Sequence, residues 1–320
     1  MNNQLVPQPF GHFMLASTLA LVSSSVAQTP VADQAIAPNL SDPETELLQL
    51  EEERNKRLTL PVNIEGVGPF DFMIDTGSQA TVVTHEINER LALPDAGTAI
   101  VVGMASRREV NLVELDGLQF GSRTIDGLTA PVLERAHIGA DGIIGLDSLQ
   151  DMRVLFDFRK KTIAVADATE KLSSRGFEII VRARPREGQL LITQATVEGV
   201  KATVIIDTGA QATLGNLALR ERIRKRREQQ QVVTTDVNGV SITTPLTFAR
   251  SLRIQGLELK NLPITYADAP AFEALGLKDE PVLSLGMQHL KAFDRVAIDF
   301  NKRRVLFDLP NNARSSRGSI

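Results

Sequence analysis

The chain has 320 residues, 42% of them hydrophobic, enough to bury two cores of ordinary domain size. Its 35 basic and 39 acidic residues leave a formal net charge of −4, so nothing global points to nucleic acid or to a polyanionic partner. With no Cys there is no disulfide framework, thiolate metal site or cysteine nucleophile, and the four His (His12, His85, His137, His289) are too scattered to suggest a metal site or a metal cofactor.

The run FMLASTLALVSSSV, from Phe13 to Val26, has the length of an export-signal core, and Ser25 and Ala27 suit cleavage after Ala27. No Lys or Arg precedes it, which leaves a loosely anchored N-terminus as the alternative. It is short for a membrane span, so residues 1–27 are expected to direct the protein to the periplasm or cell exterior, leaving no span in the mature chain. Residues 28–57 read as a linker followed by a helix, from Asp42 to Arg57, with acids early and bases late as the helix dipole prefers. A solvated lead-in helix and a removable propeptide are both open.

Beyond Leu58 the periodicity becomes that of strands. Leu58, Leu60, Val62 and Ile64 alternate, the chain turns at Gly66 and Gly68, and Phe70, Phe72 and Ile74 lead to Asp75. The stretch LTLPVNIEGVGPFDFMIDTGSQAT is matched further on by LITQATVEGVKATVIIDTGAQAT, which ends in the same way at Asp207. Three more blocks recur in the same order. LQFGSRTIDGLTAPV from Leu118 resembles LRIQGLELKNLPITY from Leu252, the glycine-centred run around Gly145 matches that around Gly286, and RVLFDFRKK from Arg153 matches RVAIDFNKR from Arg295. This is an internal duplication. The expected lobes cover 58–167 and 175–310, with a disordered tail at 311–320.

One Asp-Thr-Gly is expected by composition in roughly one chain in fifteen of this length. Two, each closing an apolar strand of a duplicated pattern and each followed by a glycine-centred apolar run, are not explained that way. On these motifs the chain, over about Leu58 to Leu309, resembles the retropepsin-like and pepsin-like aspartic proteases. The resemblance implies a mainly β fold, with two homologous retropepsin-like β-barrel lobes forming a pepsin-like bilobal pseudo-dimer. It also implies that each lobe supplies one acid of a single Asp75/Asp207 pair.

Peptide hydrolysis needs one carboxylate to take a proton from water and a protonated carboxyl to donate to the carbonyl oxygen. Two carboxyls about 3 Å apart cannot both ionise, so one residue type supplies both base and acid. Gly77 and Gly209 would allow the two loops to approach closely. By resemblance, Thr76 and Thr208 bond across to the opposite loop, and Gly145 and Gly286 let their strands pass beneath the acids. Ser78, where the second copy has Ala210, is expected to donate to Asp75 and favour its ionised form.

Flap hairpins are expected in both halves, at Ala99 to Val110 with Gly103 near the tip, and around Asn238-Gly239. Neither carries an aromatic, and with 4% aromatics and no Trp the cleft walls should be mostly aliphatic, favouring apolar substrate side chains. The basic run from Arg220 to Glu228 reads as a solvated helix face. The leading reading is an aspartic endopeptidase acting on peptides or proteins, monomeric, with its lobes paired within one chain. A catalytically silent peptide-binding pseudoprotease and a homodimer that pairs like halves are the alternatives.

Overall fold

The computed structural model describes residues 12–14, 18–21, 58–121, 123–167, 177, 179–223 and 228–310. The expected linker and helix at 28–57 and the tail at 311–320 lie outside them. Two short strands, β1 (His12–Met14) and β2 (Thr18–Leu21), fall within residues 1–27, read as an export signal. The rest of residues 1–27 lies outside the described residues.

The first lobe opens with the antiparallel hairpin β3 (Thr59–Ile64) and β4 (Val67–Ile74), turning at Glu65 and Gly66, whose φ angles are +50° and +79°. Val62, Ile64, Phe70, Phe72 and Ile74 are buried as their alternation dictates. After β5 (Val82–Thr84) and helix α1 (His85–Leu91), a long hairpin follows, made of β6 (Asp95–Val102) and β7 (Arg107–Leu115). The lobe continues with β8 (Leu118–Phe120), β9 (Arg123–Ile125), β10 (Leu128–Leu133), α2 (Arg135–Ile138), β11 (Gly142–Ile144) and α3 (Leu146–Leu149). Strands β12 (Met152–Asp157) and β13 (Thr162–Asp167) follow it.

The second half begins with β14 (Ile179–Arg182) and β15 (Arg184–Arg186), then repeats the first with β16 (Gln189–Val197), β17 (Val200–Ile206), β18 (Leu214–Gly215) and α4 (Leu217–Arg222). Its long hairpin is β19 (Glu228–Asp236) and β20 (Ser241–Ile254). Then come β21 (Leu257–Tyr266), α5 (Pro270–Ala274), β22 (Val282–Leu285), α6 (Met287–Leu290), β23 (Arg295–Asp299) and β24 (Arg304–Asp308). The sheet order β6-β7-β10-β5-β11-β4-β3 is reproduced as β19-β20-β21-β18-β22-β17-β16, so the repeat in sequence is a repeat in topology. The lobes differ where Gly117, at φ +60°, breaks the first into β7 and β8, while β20 runs on for 14 residues. The basic run is divided in another way than expected. Its helix ends at Arg222 and Glu228 already belongs to β19, with residues 224–227 outside the description.

The last blocks of the two halves join in one five-stranded sheet, β13-β12-β23-β24-β14. Strands β12 and β23 are antiparallel with Arg153 opposite Asp299 and Asp157 opposite Arg295, so the repeated Arg-to-Asp spacing pairs each Arg with the other copy's Asp. Arg153 Nη2 lies 3.5 Å from Asp299 Oδ2, both residues buried. The apolar face of this sheet merges with both lobes in one continuous core that includes Phe72, Phe156, Val204 and Phe307. Phe156 stacks on Phe158 with ring centroids 6.2 Å apart. Phe156→Ala should therefore cost about 3–5 kcal/mol of unfolding free energy in urea titration. A cost within about 1 kcal/mol would mean that the shared sheet does not tie the lobes together.

Candidate active site

Asp75 and Asp207 follow the last residues of β4 and β17, each beside a parallel neighbour, β11 and β22 respectively. Asp75 N–H donates to Ile144 O and Asp207 N–H to Leu285 O, each at 3.1 Å. The glycine after each neighbouring strand has no room for a side chain. A Cβ on Gly145 would stand 2.3 Å from the Ala80 carbonyl, and one on Gly286 2.3 Å from Ala212 O. The two glycines do pass against the acid-bearing loops. Gly145 N–H donates to Thr81 Oγ1 and Gly286 N–H to Thr213 Oγ1, each at 3.1 Å. Thr81 and Thr213 close the repeated Gln-Ala-Thr of the two copies.

The two loops meet through their threonines. Thr76 N–H donates to Thr208 Oγ1 at 3.1 Å, and Thr208 N–H donates to Thr76 Oγ1 at 3.2 Å. Each hydroxyl in turn donates beneath the opposite loop, Thr76 Oγ1 to Ile206 O at 2.7 Å and Thr208 Oγ1 to Ile74 O at 2.8 Å. The backbone of Gly209 then lies against Asp75, since a Cβ there would sit 2.1 Å from the Asp75 Cγ. Gly77 O accepts from Gln189 Nε2 at 3.0 Å, a buried contact the sequence did not signal.

Both acids are fully buried. Asp75 Oδ1 accepts from Gly77 N–H at 2.7 Å, and Asp207 Oδ1 from Ala210 N–H at 2.9 Å. Burial, and then the neighbouring Asp75 charge, push the Asp207 carboxyl well above the usual carboxylate range, opposed by hydrogen bonds from Ser284, Ala210 and Gly209. Ser78 departs from expectation. Its hydroxyl donates to Ala80 O at 2.7 Å, inside its own turn, so its one proton is spent there. A hydroxyl does reach the pair from the other lobe, where Ser284 Oγ donates to Asp207 Oδ2 at 2.8 Å.

The expected flap hairpins are present, and their tips touch. In the second, Asp236 Oδ1 accepts from Asn238 and Val240 N–H, each at 3.0 Å, fixing the turn at Gly239, φ +81°. Asp236 Oδ2 reaches the first flap and accepts from Ala105 N–H at 3.1 Å and Ser106 Oγ at 2.7 Å. Asn238 Nδ2 donates to Val101 O at 3.2 Å and to Ser106 Oγ at 3.0 Å. Gly103 fits beneath this contact only as glycine, because a Cβ would meet Asp236 Oδ2 at 2.4 Å. The outer edges of both flaps carry an added strand, β1 parallel to β6 and β2 antiparallel to β19. Among the described residues there is no group of three or more His, Cys, Asp or Glu placed to hold a metal, and no helix long and apolar enough to cross a membrane.

Two β lobes that each bring one buried acid to a common seam define a class of two-lobed acid-pair proteins. The family model for aspartyl proteases matches residues 60–148 and 193–288, more than half of the chain, and the chain belongs to that family, with the match made twice in tandem. Solved structures similar to it include a retropepsin-like aspartic protease from Rickettsia conorii. That protein is 25% identical, with 41% of this chain and 88% of that one covered and a TM-score of 0.28. No curated protein sequence matches the chain.

Thr208→Val keeps the shape but removes the hydroxyl that Thr76 N–H and Ile74 O both use. It should cost about 1–3 kcal/mol for each buried group left unpaired, measured by urea unfolding, with Thr208→Ser close to wild type. Equal stability of all three proteins would show that the loops are held by something else.

Proposed function

We propose that the protein is an aspartic endopeptidase in which Asp75 and Asp207 form one catalytic dyad at the seam of lobes spanning 58–167 and 175–310, within a monomer. The observation that carries this reading is the reciprocal threonine bonding, which supports a geometry placing both buried acids on one substrate. With one proton shared by the pair, the ionised carboxyl takes a proton from water as the water oxygen bonds to the peptide carbonyl carbon, and the protonated carboxyl donates to the carbonyl oxygen. Collapse of this intermediate breaks the C–N bond. The amine nitrogen takes up one proton, the carbonyl re-forms, and the dyad again holds a single proton.

The strands added along both flap edges support an extended peptide as the substrate form. An extended peptide can pair parallel with one hairpin edge and antiparallel with the other, as β1 does with β6 and β2 with β19. The same pairing would serve a silent peptide-binding protein. Two intact, buried and electrostatically coupled acids favour the enzyme. Its place of action is proposed to be the periplasm or cell exterior, on the strength of the apolar run at Phe13 to Val26.

Incubating the purified protein with a diverse peptide library across acid and neutral pH tests the reading directly. Asp75→Asn and Asp207→Asn should each lower kcat/KM by at least about 10²–10⁴-fold while the fold persists, and mixing the two variants should restore nothing. Cleavage that survives either change would remove the dyad, and recovery on mixing would place the site between chains.

Gly103→Ala introduces a clash with Asp236 at the flap contact. Raised KM with a lowered unfolding midpoint is expected, and an unchanged KM would separate the hairpin contact from substrate binding.

The raised Asp207 carboxyl also has a stability consequence. Between the ordinary carboxylate range and its folded-state value the native protein holds a proton that the unfolded chain has released, so this group's contribution to stability falls as pH rises through that interval. Asp207→Asn should accordingly be more stable than wild type at neutral pH and lose that advantage in acid below the ordinary range. Thermal unfolding at several pH values reads this, and an advantage that grows toward acid would contradict it.

A further inference from the structure

Ser284 occupies a buried position of β22 where the two lobes differ in chemistry. It stands opposite Ile205 in the parallel register of β22 with β17, and the matching place in the first lobe, opposite Met73, is Ile143. Both positions are buried, one filled by a hydroxyl and the other by an alkyl group with nothing to donate. The hydroxyl is not idle, because Ser284 Oγ donates to Asp207 Oδ2 at 2.8 Å while Ala210 N–H holds Oδ1 at 2.9 Å. Each oxygen of the Asp207 carboxyl thus has its own donor, from a different segment of the lobe, and rotation of the group would break both.

Resting on the dyad reading above, we propose that Ser284 is a positioning residue for the reaction, fixing the Asp207 carboxylate through Oδ2 and stabilising it in its charged form. A donor hydrogen bond favours the ionised state, in opposition to burial and to the Asp75 charge, which both favour the protonated one. The charged group acting on Asp207 is Asp75 of the opposite loop. The nearby titratable group of the same lobe, His289, is bonded to Thr213 at 2.5 Å and is driven by burial to about 3, so it is neutral across the working range. The duplicated halves therefore differ at the acids themselves, and Ser284 gives the second one a donor that Ile143 does not give the first.

The test compares the full chain with Ser284→Ala, which deletes one oxygen, and Ser284→Thr, which keeps the hydroxyl. Two readouts are taken, the pH dependence of kcat/KM and a 13C titration of labelled Asp carboxyls, with the Asp207 signal assigned by its absence in Asp207→Asn. A hydrogen bond to a charged group corresponds to about one to two pH units. In Ser284→Ala the alkaline limb of the activity profile, where Asp207 loses its proton, and the Asp207 titration midpoint should both move upward by that order, and Ser284→Thr should move both back toward wild type. A merely structural serine would alter stability and leave both midpoints in place, which would overturn the proposal. If no peptide is cleaved by any variant but the carboxyl midpoint shifts as stated, the positioning role stands and the endopeptidase reading falls. Cleavage with both midpoints unmoved has the reverse meaning.

Discussion

Two carboxyl groups buried together are unfavourable unless each has fixed donors and the surrounding backbone cannot relax to let water in. In this protein that rigidity comes from Thr76 and Thr208, whose amides and hydroxyls are exchanged between the loops. The bonding is reciprocal, so neither loop is fixed unless the other is in place. The rest of the architecture serves that meeting. Strands β11 and β22 align the acids, Gly145 and Gly286 let those strands pass close to the loops, and the five-stranded sheet draws its strands from both halves.

A duplicated chain has a freedom denied to a symmetric dimer, because its two copies can carry different residues at equivalent places. The flap contact depends on this. Asp236 on one tip meets an amide and a hydroxyl on the other, whereas two identical tips would set carboxylate against carboxylate and cost energy. Asn238 completes the contact, and Gly103 makes the space for it. The same freedom appears beneath the acids, where Ser284 faces Asp207 and Ile143 takes the matching place.

Much of this was legible in the sequence. The alternation from Leu58 to Ile74, its echo before Asp207 and the Asn238-Gly239 turn are local signals, and each element formed where its period placed it. The crossing of Thr76 and Thr208 came only through family resemblance, since nothing local relates residues so far apart. Ser78 misled because a hydroxyl just after a turn has a nearer acceptor than the acid. Ala80 O, two residues on, takes its proton, as short-range side-chain to backbone bonds commonly do. Ser284 was hidden in an otherwise apolar strand, and its partner is set by the parallel register of β22 with β17, which no spacing reveals. Asp236 was hidden for a different reason. Its turn-capping half is a local signal, but its second oxygen is used by a flap that lies 130 residues earlier.

Burial of the two acids sets how strongly they act on each other. Fewer water molecules near the pair strengthen every charge interaction there, including the one from Asp75 that holds a proton on Asp207. Separating the tips costs the bonds of Asp236 and Asn238 to the first flap, and those groups are re-solvated when they part. A chain segment that pairs along the edge of either hairpin gains backbone hydrogen bonds, as the added β1 and β2 do.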